Sequence, residues 1–177
     1  MLPNKLKGSY ERCLAELGLP FILKDTLGRK GNNNYLIKTK EDFDRAIRQA
    51  SALDVWLIAQ KYIPNDCDYR LLVMGGEISL VLKRSRLSNN THLNNVSYGG
   101  SAQLVDLDNL SSQLTNIAAM SAKLLQLQIA GVDIIQDKNT KLWYCLEVNK
   151  SPQICTGALT KQKQMALAKY LTQRLYN

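Results

Sequence analysis

Ala130-Gly-Val-Asp-Ile-Ile135 and Leu146-Glu-Val-Asn149 are two apolar runs into which three oxygen-bearing side chains, Asp133, Glu147 and Asn149, are set. The polar run Gln136-Asp-Lys-Asn-Thr-Lys141 between them reads as a turn. If Asp133 pairs directly with Glu147 in an antiparallel hairpin, the midpoint falls on Thr140, inside that turn. Side chains alternate along a strand, so Val132, Ile134, Leu146 and Val148 are expected to face a core. Asp133, Glu147 and Asn149 then share the opposite face. Two carboxylates and an amide oxygen suit a hard cation such as Mg2+, which takes only one or two carboxylates. The same spacing fits an ordinary two-layer hairpin with solvent-facing acids. Context has to decide.

With 177 residues, 45% hydrophobic and 21% charged, the chain can bury a substantial core. No apolar run reaches the roughly 18 residues of a membrane span, and Met1-Leu-Pro-Asn-Lys-Leu-Lys7 lacks the apolar stretch of a secretory signal. A cytoplasmic protein without a membrane partner is expected. Cys13, Cys67, Cys145 and Cys155 form no C-x-x-C pair, and Cys145 falls in an apparent strand, so buried reduced thiols are expected. His92 is the one histidine, which argues against His-based metal or triad chemistry. The net charge of +8 suits polyanionic partners. Its lysines and arginines are scattered, so a solvated basic surface is expected rather than dedicated nucleic-acid recognition.

Along the chain, a short helix near Ser9 to Leu17 is followed by the strand Leu19-Pro-Phe-Ile-Leu-Lys24, a loop with Gly28, Gly31 and three asparagines, and the strand Tyr35-Leu-Ile-Lys38. Thr39 and Asp42 form an N-cap pattern for a helix whose Phe43, Ala46, Ile47 and Ala50 share one face. Val55-Trp-Leu-Ile-Ala-Gln60 reads as a buried strand. Asp68 to Met74 and Glu77 to Lys83 are joined by Gly75-Gly76, a two-residue hairpin signal. The asparagine-rich stretch from Ser85 to Ser101 is long enough to suggest a functional loop. In the next helix Leu110, Leu114, Ile117, Ala118, Ser121, Leu124 and Leu125 follow the helical period, and a basic helix from about Thr160 to Tyr176 closes the chain. Strand pairs alternating with helices give an α+β fold with largely antiparallel sheets.

The ordered set Pro20-Phe-Ile-Leu-Lys24, glycine loop, Gln60-Lys-Tyr-Ile63, Asp68-Tyr-Arg70, Gly99-Gly100, Ala130-Gly-Val-Asp133 and Leu146-Glu-Val-Asn-Lys-Ser-Pro152 resembles the ATP-grasp superfamily, and within it the RimK-type ligases. The resemblance runs from about Leu2 to Pro152. It implies an ATP-grasp fold: a smaller lobe over residues 1–60 carrying a glycine-rich flap, and a larger lobe over 61–177 carrying the metal site. It also implies roles. Lys24 would meet the nucleotide phosphates, Gly28 and Gly31 would let the flap approach them, and Lys61 and Tyr62 would flank adenine. Asp68 would accept the ribose hydroxyls, whereas a structural salt bridge with Arg70 is the plainer role for it. Arg70, Arg84 and Asn95 would line the reacting groups, and Asp133, Glu147 and Asn149 would hold Mg2+ or Mn2+.

Three positions depart from the family pattern: Asn33 stands where a further glycine is common, Lys61 where glutamate is, and Leu93 where arginine is. Asparagine tolerates a positive φ, so the loop is expected to form, and Arg84 and Arg86 are the candidates to replace the lost arginine. The implied reaction has ATP phosphorylate a carboxylate, after which an amino acid or peptide amine attacks the acyl phosphate. Relatives carry an N-terminal domain before the segment that starts here at Leu2, so a partner domain or subunit, or a homo-oligomer, is compatible. The alternative is an incomplete or non-catalytic ATP-binding module. A basic RNA-binding protein is a third reading, resting on charge alone.

Overall fold

The computed structural model describes residues 9–28, 32–86, 94 and 100–176. The chain divides into two compact units, Met1–Tyr62 and Ile63–Asn177.

In the first unit, α1 (Tyr10–Leu17), β1 (Phe21–Asp25), β2 (Asn34–Ile37), α2 (Lys40–Ala52) and β3 (Leu57–Lys61) follow in chain order. The strands form an antiparallel sheet ordered β2-β1-β3. Helix α2 starts in a capping box: Thr39 Oγ1 accepts from the Asp42 N–H, and Asp42 Oδ2 accepts from the Thr39 N–H. Its Phe43, Ala46, Ile47 and Ala50 then pack on Phe21, Leu23, Ile37 and Leu57 of the sheet and on Tyr10 and Cys13 of α1. Because Phe21 and Leu23 point into this core, alternation turns Ile22 and Lys24 to the other face.

The run Val55–Gln60 does not form the expected buried strand. Strand β3 pairs only with β1 and lies at the sheet edge, with Leu57 buried but Trp56 50% and Ile58 42% exposed. Its apolar residues face both ways while the helices cover one side, and periodicity does not reveal that difference.

In the second unit, β4 (Cys67–Met74), β5 (Glu77–Ser85), β6 (Ser101–Val105), α3 (Ser112–Leu124), β7 (Ile129–Gln136), β8 (Trp143–Asn149) and α4 (Thr160–Tyr176) build an antiparallel sheet ordered β6-β5-β4-β7-β8, with two α-helices among the described residues. One face is apolar throughout its centre: Leu71, Val73, Val81, Val132 and Ile134 pack under Leu114, Ala118 and Ala122 of α3. Leu124 and Leu125, expected on that face, are instead 78% and 56% exposed. The small side chains of Ala118 and Ala122 let the helix lie close to the sheet, and its last turn runs past the edge of the buried area.

The other face is divided. Leu72, Met74, Leu80 and Leu82 make an apolar half covered by Ala166, Leu167 and Tyr170 of α4. Charged side chains occupy the remaining half. Burying each large apolar side chain contributes about 1.5–3 kcal/mol, so the two covered areas stabilise the unit and the charged half does not add to that total.

Two irregularities set which residues meet. Gly75 and Gly76 make the β4–β5 turn with φ of +61° and +89°, as a tight hairpin requires. Met74 pairs with Glu77, and continuing that register would put Asp68 opposite Lys83. A shift between Leu72 and Val73 moves it by one, so Asp68 faces Arg84. In the β7–β8 hairpin Asp133 pairs with Glu147 but Ile134 pairs with Cys145, leaving Leu146 without a partner. That extra residue reverses the alternation. Val148 packs on the α3 core as expected, and on the other side of the bulge Trp143 does so too, edge-on to Tyr69 at 5.5 Å between centroids.

All four cysteines are free, Cys13 is buried and Cys67 half-buried, but Cys145 and Cys155 are exposed, contrary to the expectation of buried thiols. Cys145 lies on β8, the last strand of this sheet among the described residues.

Candidate functional site

The charged half of the second unit's sheet is built from cross-strand neighbours. Arg70 on β4 is the register partner of Asp133 on β7, and Asp133 is the partner of Glu147 on β8. One row away Asp68 faces Arg84, and on the other side Gly131 faces Asn149. Side chains two apart on a strand share a face, so Asp68, Arg70, Arg84, Asp133, Glu147 and Asn149 all project from one surface.

The buried members are tightly paired. Arg70 Nε and Nη2 donate to the two oxygens of Asp133 at 2.7 and 2.6 Å. Arg84 Nε donates to Asp68 Oδ1 at 2.5 Å, and its Nη2 reaches Asp133 Oδ2 at 3.0 Å. Burial would raise the Asp133 carboxyl, but the hydrogen bonds from Arg70 and the charges of both arginines outweigh it and hold Asp133 below the usual carboxylate range. Asp68 goes the other way: burial dominates the attraction of Arg84 and pushes its carboxyl up. Arg84 is held firmly cationic, its own desolvation overcome by Asp133 and Asp68. The alternative of a salt bridge between Asp68 and Arg70 is not what forms: Asp68 pairs with Arg84 and Arg70 with Asp133.

The trio Asp133, Glu147 and Asn149 fits a hard cation. Asp133 spends three of its roughly four lone-pair sites on the arginines, leaving one. Glu147 is exposed beside it. The Asn149 side chain carries a buried Nδ2 with no partner among the described residues; turning the amide by half a revolution presents its oxygen instead. Arg70 and Asp133 concentrate paired charge on this surface.

The remaining expected residues fall as follows. Lys24 sits on the central strand of the first unit, paired with Asn34 and Ile58, on the face away from the core. Gly28 follows β1, and a Cβ there would lie 2.9 Å from Asn32 O, so the turn requires glycine. Asn33 takes a φ of +53°, as its tolerance of that region allows. Lys61 ends β3 and Tyr62 follows it. Gly31, Leu93, Asn95 and Gly99 lie outside the described residues.

Three participants were missed. Asp25 organises the Gly28 turn, accepting from Leu27 N–H at 2.9 Å and from Asn33 Nδ2 at 3.2 Å; an Asp two residues before an apolar loop residue is an Asx-turn signal that could have found it. Asn65 accepts from Asn94 Nδ2 at 2.8 Å and from Arg86 at 3.4 Å, linking the end of β5 to the stretch beyond it. Lys163, a buried lysine of α4, carried no signal beyond its charge.

Comparison with known proteins identifies the family of the chain. Residues 5–175 match the model of the RimK-like ATP-grasp domain. Over 137 residues the chain is 30% identical to the ribosomal protein bS6–L-glutamate ligase of Escherichia coli O139:H28, covering 76% of this chain and 44% of that protein. Over 158 residues it is 28% identical to probable alpha-L-glutamate ligase 2 of a Shewanella species, covering 87% and 50%. The chain thus spans about half the length of these relatives. Its fold is similar to that of Bacillus anthracis D-alanine–D-alanine ligase complexed with ATP, at a TM-score of 0.67 and 17% identity over 90% of this chain and 52% of that one. It is also similar to the ATP-grasp ligase PsnB complexed with minimal precursor, Mg and ADP, at 0.61 and 18% over 95% and 50%. Family model, relatives and fold agree, and the chain belongs to the RimK-like ATP-grasp family.

Proposed function

We propose that this chain provides the ATP-binding and metal-binding part of a carboxylate–amine ligase, which forms an amide bond through an acyl phosphate. The observation that carries this reading is the single surface shared by Asp133, Glu147, Asn149 and the paired arginines, in a chain of this family. Asp133, Glu147 and Asn149 would hold Mg2+ or Mn2+, which when bound neutralises charge on the transferring phosphoryl group. Arg70 and Arg84 keep Asp133 ionised and in place, and Arg70, the more exposed of the two, is the one able to donate to an anionic oxygen.

In the first unit Lys24, on the strand face away from the core, supplies an ammonium for the phosphates. The turn at Gly28 is held by Asp25 and supplies backbone N–H groups. Asp68, with Oδ1 taken by Arg84, has its second oxygen for the ribose. Lys61 and Tyr62 are assigned to the base. By the same reading the first unit is the smaller lobe with the flap and the second the larger lobe with the metal site. The named activities of the relatives make a glutamate or other amino acid the natural amine, and a protein or peptide carboxylate the natural acceptor.

Titration calorimetry with ATP and Mg2+ tests this. Glu147→Ala and Asn149→Ala are expected to weaken metal-dependent ATP binding by about tenfold or more each, the scale on which metal sites respond to lost partners. Unchanged binding in both variants would refute the site. Lys61, standing where the family commonly carries glutamate, favours one second reading: metal-dependent ATP binding without turnover. ADP release that rises with added carboxylate and amine would exclude it.

A further inference from the structure

Helix α4 buries one residue almost completely, and it is a lysine: Lys163, 6% exposed. Its ammonium donates to the backbone carbonyls of Gln153 and Thr156, the second at 2.5 Å. Among the described residues no carboxylate forms an ion pair with it. The helix has no acid in its first turn, where Lys163 sits against the positive end of the helix dipole. Burial first, and then the positive charge of Arg70, hold its ammonium below the usual lysine range. A buried cation satisfied only by neutral carbonyls is costly, and such local violations concentrate at functional sites.

The segment it fastens leads directly out of the candidate site. Asn149 ends β8, and three residues later Pro152 lies against Gly131, where a Cβ would come within 3.0 Å of the proline Cβ. Gly131 is the register partner of Asn149. Beyond Pro152, Ile154 and Leu159 enter the apolar half of the same face. Proline and the two apolar residues hold the segment against the sheet. Lys163 ties together the carbonyls between them. The Asn149 amide has a nitrogen without a partner among the described residues, so its own hydrogen bonds do not fully fix it. Its orientation depends on the backbone that follows.

We propose that Lys163 is a positioning residue for the metal site, clamping residues 150–157 so that Asn149 is held toward the cation bound by Asp133 and Glu147. This rests on the metal reading given above. The cost of burying the ammonium is offset by a preorganised ligand.

The test uses Mn2+ as probe, with binding followed by electron paramagnetic resonance on the whole chain. Lys163→Met is expected to lower Mn2+ affinity by about tenfold, as the loss of an outer supporting group typically does. Cys155, exposed between the two bonded carbonyls, reports on the segment: its alkylation, resolved by mass spectrometry, should quicken while that of exposed Cys145 does not. Lys163→Arg retains a cationic donor and should restore most of the affinity. A merely structural role would leave Mn2+ binding unmoved in the folded variant. Should Lys163→Met not fold, Gly131→Ala presses the same segment at Pro152 from the other side and is expected to weaken Mn2+ binding too. Mn2+ affinity at wild-type level in the folded Lys163→Met protein, or in Gly131→Ala if that is the variant measured, overturns the proposal, provided Asn149→Ala does weaken it. If Asn149→Ala also binds Mn2+ normally, the metal reading itself is overturned, and the positioning role with it.

Discussion

Replacing Arg84 by Met should be among the most damaging single changes in the second unit, and the damage should depend on pH in a defined direction. The Arg84 side chain is 9% exposed and bridges Asp68 at 2.5 Å and Asp133 at 3.0 Å. Methionine keeps much of the aliphatic packing and removes the charge. Asp133 retains both hydrogen bonds from Arg70, so the loss falls on Asp68, which is left buried with no cation bonded to it. Breaking a buried pair on one side costs about 3–5 kcal/mol. Protonation limits this: bringing a carboxyl from 3.8 to neutral form at pH 7 costs at most about 4 kcal/mol, at about 1.4 kcal/mol per unit. We therefore expect a loss of about 3–4 kcal/mol near neutrality.

The sign follows from linkage. In the variant the folded-state pKa of Asp68 is raised further above its unfolded value, so the folded protein binds the extra proton and regains stability as pH falls. Near pH 5 the ionisation cost is much smaller, so the loss should fall well below its value at pH 7. Urea unfolding followed by Trp143 fluorescence in a Trp56→Phe background isolates this unit, because Trp143 packs on Tyr69 in its core. Asp68→Leu added to Arg84→Met removes the stranded acid and should recover most of the loss, since an absent buried pair is cheaper than a broken one. A loss below about 1 kcal/mol at pH 7, or a double variant no more stable than the single, would refute the reasoning.

Three further outcomes are expected. Thr39→Ala removes the side-chain half of the α2 capping box and should cost about 1 kcal/mol in the first unit, read from Trp56 fluorescence. Gly75→Ala meets both a φ of +61° and the Tyr170 ring 2.8 Å from the new Cβ; about 1–3 kcal/mol of strain is expected, and Tyr170→Leu in the same chain should recover the steric part. Burial first, and then the neighbouring Cys67, push the Tyr69 hydroxyl up to about 12. The folded state therefore keeps that proton while an unfolded tyrosine loses it near 10, so stability declines as pH rises from about 10 toward 12, and Tyr69→Phe should make that decline shallower in alkaline urea titrations.

The parts of the fold that could be read in advance are those governed by local pattern. The Thr39–Asp42 start of α2, the Gly75-Gly76 turn and the direct facing of Asp133 and Glu147 each depend on residues close in sequence. What escaped depends on distant neighbours. Val55–Gln60 has the composition of a buried strand, and only its place at the edge of β2-β1-β3 exposes Ile58. Strand β6 follows a polar stretch and carries no pattern of its own. Asp68 meets Arg84 because of a one-residue shift at Leu72, for which the sequence has no local marker. Lys163 looks like any surface lysine until Pro152 and Ile154 bring the two carbonyls to it. Among the described residues no helix is long and apolar enough to cross a membrane.

Leu146 gives the last strand two phases. On its N-terminal side odd-numbered Trp143 turns to the hydrophobic interior, and on its C-terminal side odd-numbered Glu147 turns to the opposite face, although both stretches belong to one continuous ribbon. Deleting that single leucine would force a choice between seating the tryptophan and aiming the acid. The spacing between Trp143 and Glu147 therefore fixes both faces at once.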